Sequence, residues 1–237
     1  MTMNHNYKLI AMIPARMGSK RIPKKNLRYL FDKPLVQYPI DLTSNSNCFD
    51  SIWINTESDE LGHFAVERGI NFHKRPEELA GDNATNRDFT YEFLKKHECD
   101  YVIMVNTTSP LLTQETMNTF IDYVNENDFD VILSVVSEKA ETFYKDLPVN
   151  FDKKDKINSQ LLEPTKRVVW ALTAWKRSNF IELQEKGISP VFAGKMGLFE
   201  IPKDQCCDID TEEDWKIAEG ALAARNMDKG ETKYLDI

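Results

Sequence analysis

Residues 8–28 read KLIAMIPARMGSKRIPKKNLR, an apolar run that ends at Pro14 and opens into a strongly basic loop. The run from Lys8 to Pro14 has the length and continuity of a strand buried on both faces. A helical pattern follows over Leu35–Leu42, and the alternation repeats: Ser51–Thr56 then Asp59–Arg68, Asn71–Lys74 then Arg87–His97, Tyr101–Asn106 then Gln114–Asn127, and Val131–Val136. Near-continuous apolar strands separated by helices predict an α/β fold, a doubly wound and mostly parallel sheet. Ligands of such sheets bind beyond the carboxyl ends of the strands. The loops beginning at Pro14, Asn55, Arg75 and Asn106 are therefore expected around one crevice.

The periodicity lapses between Ser137 and Arg167, where EKAETFYKDLPVNFDKKDKINSQ is polar, charged and irregular. So long a break in a compact domain is read as an excursion from the sheet. One domain over residues 1–225 is expected, with the excursion at 137–167, a last helix near Thr211–Arg225 and a tail at 226–237. The chain has 237 residues and is 41% hydrophobic, enough for one substantial core. Its apolar runs fall far short of the roughly 20 residues of a spanning helix. No secretory cleavage pattern follows the N-terminal run, so a cytoplasmic protein without a membrane partner is expected. Four cysteines and four scattered histidines lack the spacing of a disulfide framework or a zinc site. The net charge of −8 argues against nucleic acid as a partner.

Against that acidic background, Arg16, Lys20, Arg21, Lys24, Lys25 and Arg28 place six cations in thirteen residues with no acid among them. Gly18 lets the backbone turn tightly, and with Ser19 it offers successive loop amides to an anion. A triphosphate is the expected guest; a solvated basic loop is the plain alternative. GxxxxGK[ST] and GxGxxG are both absent, so neither a P-loop nor a dinucleotide site is indicated. Near the other end, Asp208 and Asp210 flank Ile209 in CCDIDTEEDW, a spacing that suits a hard cation such as Mg²⁺. Thr211 and Asp214 resemble a capping box, which leaves a helix start as the rival use of these acids.

Together, IPARMGSKRIPKKNL, KPL, FDSIWINTE, KRPEELAGDNAT, TSPL and DIDTEED, in this order, resemble the acylneuraminate cytidylyltransferase family, the CMP-sialic acid synthetases and their relatives for other nonulosonic acids. The resemblance implies a Rossmann-like nucleotidyltransferase that joins CMP from CTP to the anomeric hydroxyl of a nonulosonic acid, with Mg²⁺, in surface polysaccharide biosynthesis. It implies phosphate contacts from Arg16, Lys20, Lys25 and Asn26, cytosine recognition by Arg75, a nucleotide contact near Asn86, and Mg²⁺ ligation by Asp208 and Asp210. Asp82 and Thr85 are expected to hold the loop shape. Without the family, Arg75 reads equally as a surface residue paired with Glu77 or Glu78.

Asn106 corresponds to an amide at the joining point of nucleotide and sugar, or else caps the turn before Pro110. Lys166 and Arg167 are candidate partners of the sugar carboxylate, or simply a basic strand edge. Trp170 and Ala171 stand where the sialic acid enzymes usually show Asn-Gly, a departure that points to an altered sugar site. The resemblance also implies a homodimer, and Phe143, Tyr144 and Phe151 in the charged excursion fit that role. An eight-carbon sugar acid enzyme of the Kdo type is the nearest alternative. A non-catalytic nucleotide-binding protein on the same fold is the alternative of another class.

Overall fold

A computed structural model describes residues 7–227. In chain order the strands are β1 (Leu9–Pro14), β2 (Tyr29–Leu30), β3 (Lys33–Pro34), β4 (Ser51–Thr56), β5 (Asn71–Lys74), β6 (Tyr101–Val105), β7 (Val131–Glu138), β8 (Phe143–Tyr144), β9 (Leu147–Pro148), β10 (Thr165–Lys176) and β11 (Met196–Glu200). The helices are α1 (Gln37–Ser44), α2 (Asp59–Val66), α3 (Asn86–Lys96), α4 (Gln114–Glu126), α5 (Arg177–Glu185) and α6 (Glu212–Asn226). Of the expected tail, residues 228–237 lie outside the described residues.

Seven strands form one sheet in the order β11-β7-β10-β6-β1-β4-β5. All neighbours run parallel except β10, which is antiparallel to both β6 and β7. The doubly wound expectation holds, with one reversed strand inserted near the centre. The central strands are buried on both faces because their side chains are apolar throughout, as in LIAMIP of β1 and YVIMV of β6.

Alternate residues feed two cores. Leu9 and Ile13 join a layer with Ile40 of α1, Leu61 of α2 and Met117, Phe120, Ile121 and Val124 of α4. Ile10 and Met12 join the opposite layer with Phe93 of α3 and Phe180 of α5. The α4 residues recur at helical spacing, and the helix is started by Thr113, whose hydroxyl accepts the Thr116 amide.

A third, smaller core fixes the site. Ile22 from the basic loop, Leu30, Leu35, Ile209, Trp215 and Ala218 pack together, and the Arg28 guanidinium lies 4.2 Å from the Trp215 ring centroid. The basic loop is thereby bolted to α6, although nearly the whole chain separates them. At α6, Thr211 and Asp214 form the capping box read from the sequence: the Asp214 carboxylate accepts the Thr211 amide at 2.8 Å and the Thr211 hydroxyl accepts the Asp214 amide. Thr85 and Asp88 cap α3 in the same way.

The ladder between β7 and β10 continues through Glu138 and Thr165, so the segment outside the main sheet is 139–164. It carries the β8–β9 hairpin and exposes Phe143, Tyr144, Leu147, Val149 and Leu161.

Candidate active site

From β1 the chain proceeds outward to β4 and β5, then returns to the other side of β1 as β6. The connections that leave the carboxyl ends of β1 and β6 therefore run to opposite sides, which is where this sheet type opens a crevice. A cleft of about 480 Å³ lies there, lined by Pro14, Arg16, Ser19, Lys20, Arg21, Lys25, Asn26, Arg75, Asp82, Phe89, Asn106, Thr107, Thr108 and Asp210. Most residues singled out from the sequence meet in it. Gly18, Asn86, Lys166 and Arg167 are not in its wall, and Asp208 borders a neighbouring cavity of about 60 Å³ with Arg167, Trp170 and Cys207.

The basic loop is shaped by contacts at both ends. The Met17 amide donates to Glu57 at 2.7 Å, and the Asn26 side chain, buried, donates to the Arg16 carbonyl at 2.8 Å. Lys24 sits at φ 52° just after Pro23, and a 3-10 turn then carries Lys25 inward. Lys25 is only 12% exposed; its ammonium donates to the Ile209 carbonyl at 2.5 Å and lies 3.4 Å from Asp210. Burial pulls its pKa below the usual lysine value against the opposing charge of Asp210.

Arg21 also pairs with Asp210, at 2.9 Å. Arg16 lies 3.3 Å from Asp82, and Lys20 pairs with the other oxygen of the same carboxylate. Asp208 accepts a hydrogen bond from Thr108; partial burial, then the like charge of Asp210, nonetheless raises its pKa. Asp208 and Asp210 thus stand close enough to feel each other, and both feel Lys25.

Arg75 is 3% exposed, and the reading of it as a surface ion pair fails. Its Nε donates to Asn55 Oδ1 at 2.7 Å and its Nη2 to the Asn55 carbonyl at 2.8 Å, while its guanidinium carbon lies 4.2 Å from the Phe89 ring centroid. Burial brings its pKa down to about 10, with the charge of Glu57 opposing, so it stays cationic near neutrality. A fixed, planar donor in a cleft wall is suited to a carbonyl oxygen on a flat ring.

Asn106 follows the end of β6. Its side-chain amide donates to the Trp170 carbonyl at 2.6 Å, and its backbone amide to the Ala171 carbonyl. This amide holds β10 against β6 where the β10 register with β7 breaks between Val168 and Thr173. Trp170 takes φ 48° in that break, a left-handed conformation that a bulky side chain adopts at a cost. The position is one where Asn or Gly would be at ease.

A family model described as cytidylyltransferase matches residues 10–224. The chain belongs to the cytidylyltransferase family. It is 29% identical over 215 residues to N-acylneuraminate cytidylyltransferase A of Danio rerio, covering 88% of this chain and 49% of that protein. To the N-acylneuraminate cytidylyltransferase of Streptococcus agalactiae serotype V it is 28% identical over 218 residues, with 88% and 52% covered. The chain thus spans about half the length of these relatives. The pseudaminic acid cytidylyltransferase of Campylobacter jejuni is 27% identical over 229 residues, covering 89% of this chain and 94% of that one. Among solved structures, CMP:2-keto-3-deoxy-manno-octonic acid synthetase complexed with CTP superposes with a TM-score of 0.68 at 16% identity, over 92% of this chain and 99% of that one. At that identity the likeness concerns the fold.

Within this cytidylyltransferase framework, four side chains around the cleft escape a reading of the sequence alone. Asn55 and Phe89 orient Arg75, Glu57 fixes the start of the basic loop, and Thr108 holds Asp208. The signal available for Glu57 was its place just after the carboxyl end of β4. Among the described residues no helix is long and apolar enough to cross a membrane.

Proposed function

We propose that this chain is a cytoplasmic cytidylyltransferase that transfers CMP from CTP to the anomeric C2 hydroxyl of a nonulosonic, sialic-type acid and releases pyrophosphate. The observation that carries the reading is the division of one cleft into a cationic lip, Arg16, Lys20, Arg21 and Lys25, and a wall bearing the rigid Arg75. The lip suits a triphosphate and the wall suits a pyrimidine carbonyl. Gly18 and Ser19 amides and Asn26 would complete the phosphate cradle, Asn86 at the start of α3, outside the cleft wall, would contribute a more peripheral nucleotide contact, and Asn106 would mark the joining point. Of the candidates Lys166 and Arg167, Arg167, which borders the same small cavity as Asp208, is assigned to the sugar carboxylate.

The fit of Asp208 and Asp210 to Mg²⁺ can be tested on their chemistry. Both offer hard oxygens, and the pKa of Asp208 is raised partly by the adjacent negative charge, which a divalent cation would relieve. Among the described residues no group of three acidic, histidine or cysteine side chains is assembled for a metal. Mg²⁺ in nucleotide sites needs only one or two carboxylates, the rest of its shell being water and phosphate oxygens. The pair fits on that basis. When bound, the ion would neutralise charge developing on the phosphate oxygens.

The reaction is a displacement at the α-phosphorus. The acceptor C2 oxygen forms a bond to phosphorus and loses its proton to water, and the bond to the oxygen bridging the α- and β-phosphorus atoms breaks, its electrons leaving on pyrophosphate. Arg16, Lys20 and Lys25 hold the departing phosphates and stabilise the charge that accumulates there. Arg75 and Asn106 fix the two reactants so that attack occurs in line.

The exposed apolar residues of segment 139–164 support a homodimer built through that arm, which light scattering at micromolar concentration should register as twice the chain mass. The product, a CMP-linked sugar acid, is an activated donor of the kind that surface polysaccharide assembly consumes. Pyrophosphate measured after mixing the chain with CTP, Mg²⁺ and a panel of sugar acids tests the activity. Release is expected with CTP and a nonulosonic acid. Equal turnover with ATP, or no release with any acid, would refute the proposal.

A further inference from the structure

Every cation on the lip of the cleft already has a carboxylate partner. Arg21 and Lys25 share Asp210, and Arg16 and Lys20 share Asp82. Asp210 belongs to the proposed metal pair, so its position is accounted for. Asp82 is not: it is an acid in the wall of a site whose expected ligand is itself an anion.

Its geometry is specific. One oxygen faces Arg16 at 3.3 Å and the other faces Lys20, as two oxygens of one phosphate group would. The same Arg16 nitrogen also donates to the carbonyls of Ala80 and Gly81, both at 3.4 Å. The segment is anchored at its two ends and exposed at the tip between them. Arg75 is fixed by Asn55, and Thr85 is fixed by its capping box with Asp88. Between them Asp82 and Asn83 are exposed, and a Cβ on Gly81 would meet only the Glu78 carbonyl, at 3.8 Å. The Asp82 carboxylate is half exposed and Lys20 80% exposed, so neither is locked by packing.

Resting on the nucleotide reading above, we propose that Asp82 is an internal stand-in for phosphate that sets triphosphate affinity: it holds Arg16 and Lys20 across the mouth of the cleft and is displaced when CTP arrives. Because the two cations cannot serve both anions fully, CTP binds at the expense of the Asp82 pairs. Removing the carboxylate leaves the cations free and takes one negative charge from beside the triphosphate. Exposed ion pairs of this kind are each worth up to about fivefold in an equilibrium. Asp82→Asn is therefore expected to bind CTP and pyrophosphate about three- to tenfold more tightly than the parent chain. A residue that merely shaped the loop would give the opposite sign.

Isothermal titration of the full chain with CTP, pyrophosphate and cytidine, at 50 and 300 mM salt, tests this, with thermal unfolding of each variant as a check on folding and Asp82→Ser as a second substitution. Tighter CTP and pyrophosphate in both variants, unchanged cytidine, and a gain that shrinks in high salt are expected. Equal or weaker CTP binding by the folded variants overturns the role of Asp82 and leaves the nucleotide reading intact. Equally tightened cytidine also overturns it, since the effect would not involve phosphate. Failure of the parent chain to bind CTP at all overturns the nucleotide reading itself, and Asp82 with it.

Discussion

Replacing Arg75 by lysine keeps a positive charge at the cleft wall and removes the fork. In the folded chain that fork satisfies two acceptors of Asn55, a residue with no exposed surface, through bonds of 2.7 and 2.8 Å. A single ammonium at the end of a flexible stem can satisfy one of them in good geometry, which leaves a buried acceptor unpaired at about 1–3 kcal/mol. The planar contact with Phe89 at 4.2 Å is also lost, worth on the order of 1 kcal/mol. The sum is about 2–4 kcal/mol, or roughly 4–16 °C in Tm for a chain of this size. Differential scanning calorimetry reads that directly. The second consequence is functional: the discrimination between CTP and ATP in pyrophosphate release should collapse, because lysine cannot present a fixed donor to the pyrimidine carbonyl. A Tm within about 1 °C of the parent, together with unchanged discrimination, would show that Arg75 is neither clamped nor reading the base.

Two further outcomes concern the acids of the cleft and the buried histidines. Asp208→Asn and Asp210→Asn should each lower kcat about a hundredfold or more at saturating Mg²⁺ while Tm moves little, whereas Asp214→Asn, confined to the helix cap, should keep turnover and cost at most on the order of 1 kcal/mol; near-normal kcat in both of the first two variants would remove the metal assignment. Stability should fall as pH drops from about 6.5 toward 4, because burial lowers the pKa of His73 and brings that of His97, packed against Trp53, Phe93 and His73, down to about 4. The sign is set by the unfolded chain binding protons on these imidazoles through a window in which the folded chain does not. His97→Phe should flatten urea midpoints across that window, and an unchanged pH profile would refute the assignment.

What the sequence disclosed depended on how far apart the interacting residues lie. β1, β6 and most of β7 are near-continuous apolar runs, β4 centres on Ile52, Trp53 and Ile54, and α4 and α6 carry both a stripe and a cap, so each declares itself locally. The Thr211–Asp214 cap is legible for the same reason. β10 was legible only as a return to the sheet near Val168: its direction is fixed by pairing with Tyr101–Val105 and Val131–Glu138, which no local pattern records. β11 is an edge strand with Met196 and Leu198 exposed, and α5 fully buries Phe180 alone, so neither had a strong period. In the site, the six cations of residues 16–28 stand out because they are neighbours in sequence. Glu57 lies 40 residues from the Met17 amide it holds, and Asp82 lies 66 from Arg16. Their parts in the cleft appear only once the strands are laid side by side.

The placement of β10 between β6 and β7 also bears on how the chain is made. A ribosome delivers β6 and β7 first, and neither can pair with the other, because the strand that joins them is still unsynthesised. The roughly forty residues from the end of β7 to the end of β10 take on the order of 2–8 s to emerge at about 5–20 residues per second. During that interval two apolar edges stand open on the nascent chain. Asn106 waits for the Trp170 carbonyl, and Lys25 waits longer still for Ile209 and Asp210. The half of the sheet that carries the basic loop and Asp82 can condense early, but the cleft acquires Asp210 only when the residues around it have left the exit tunnel.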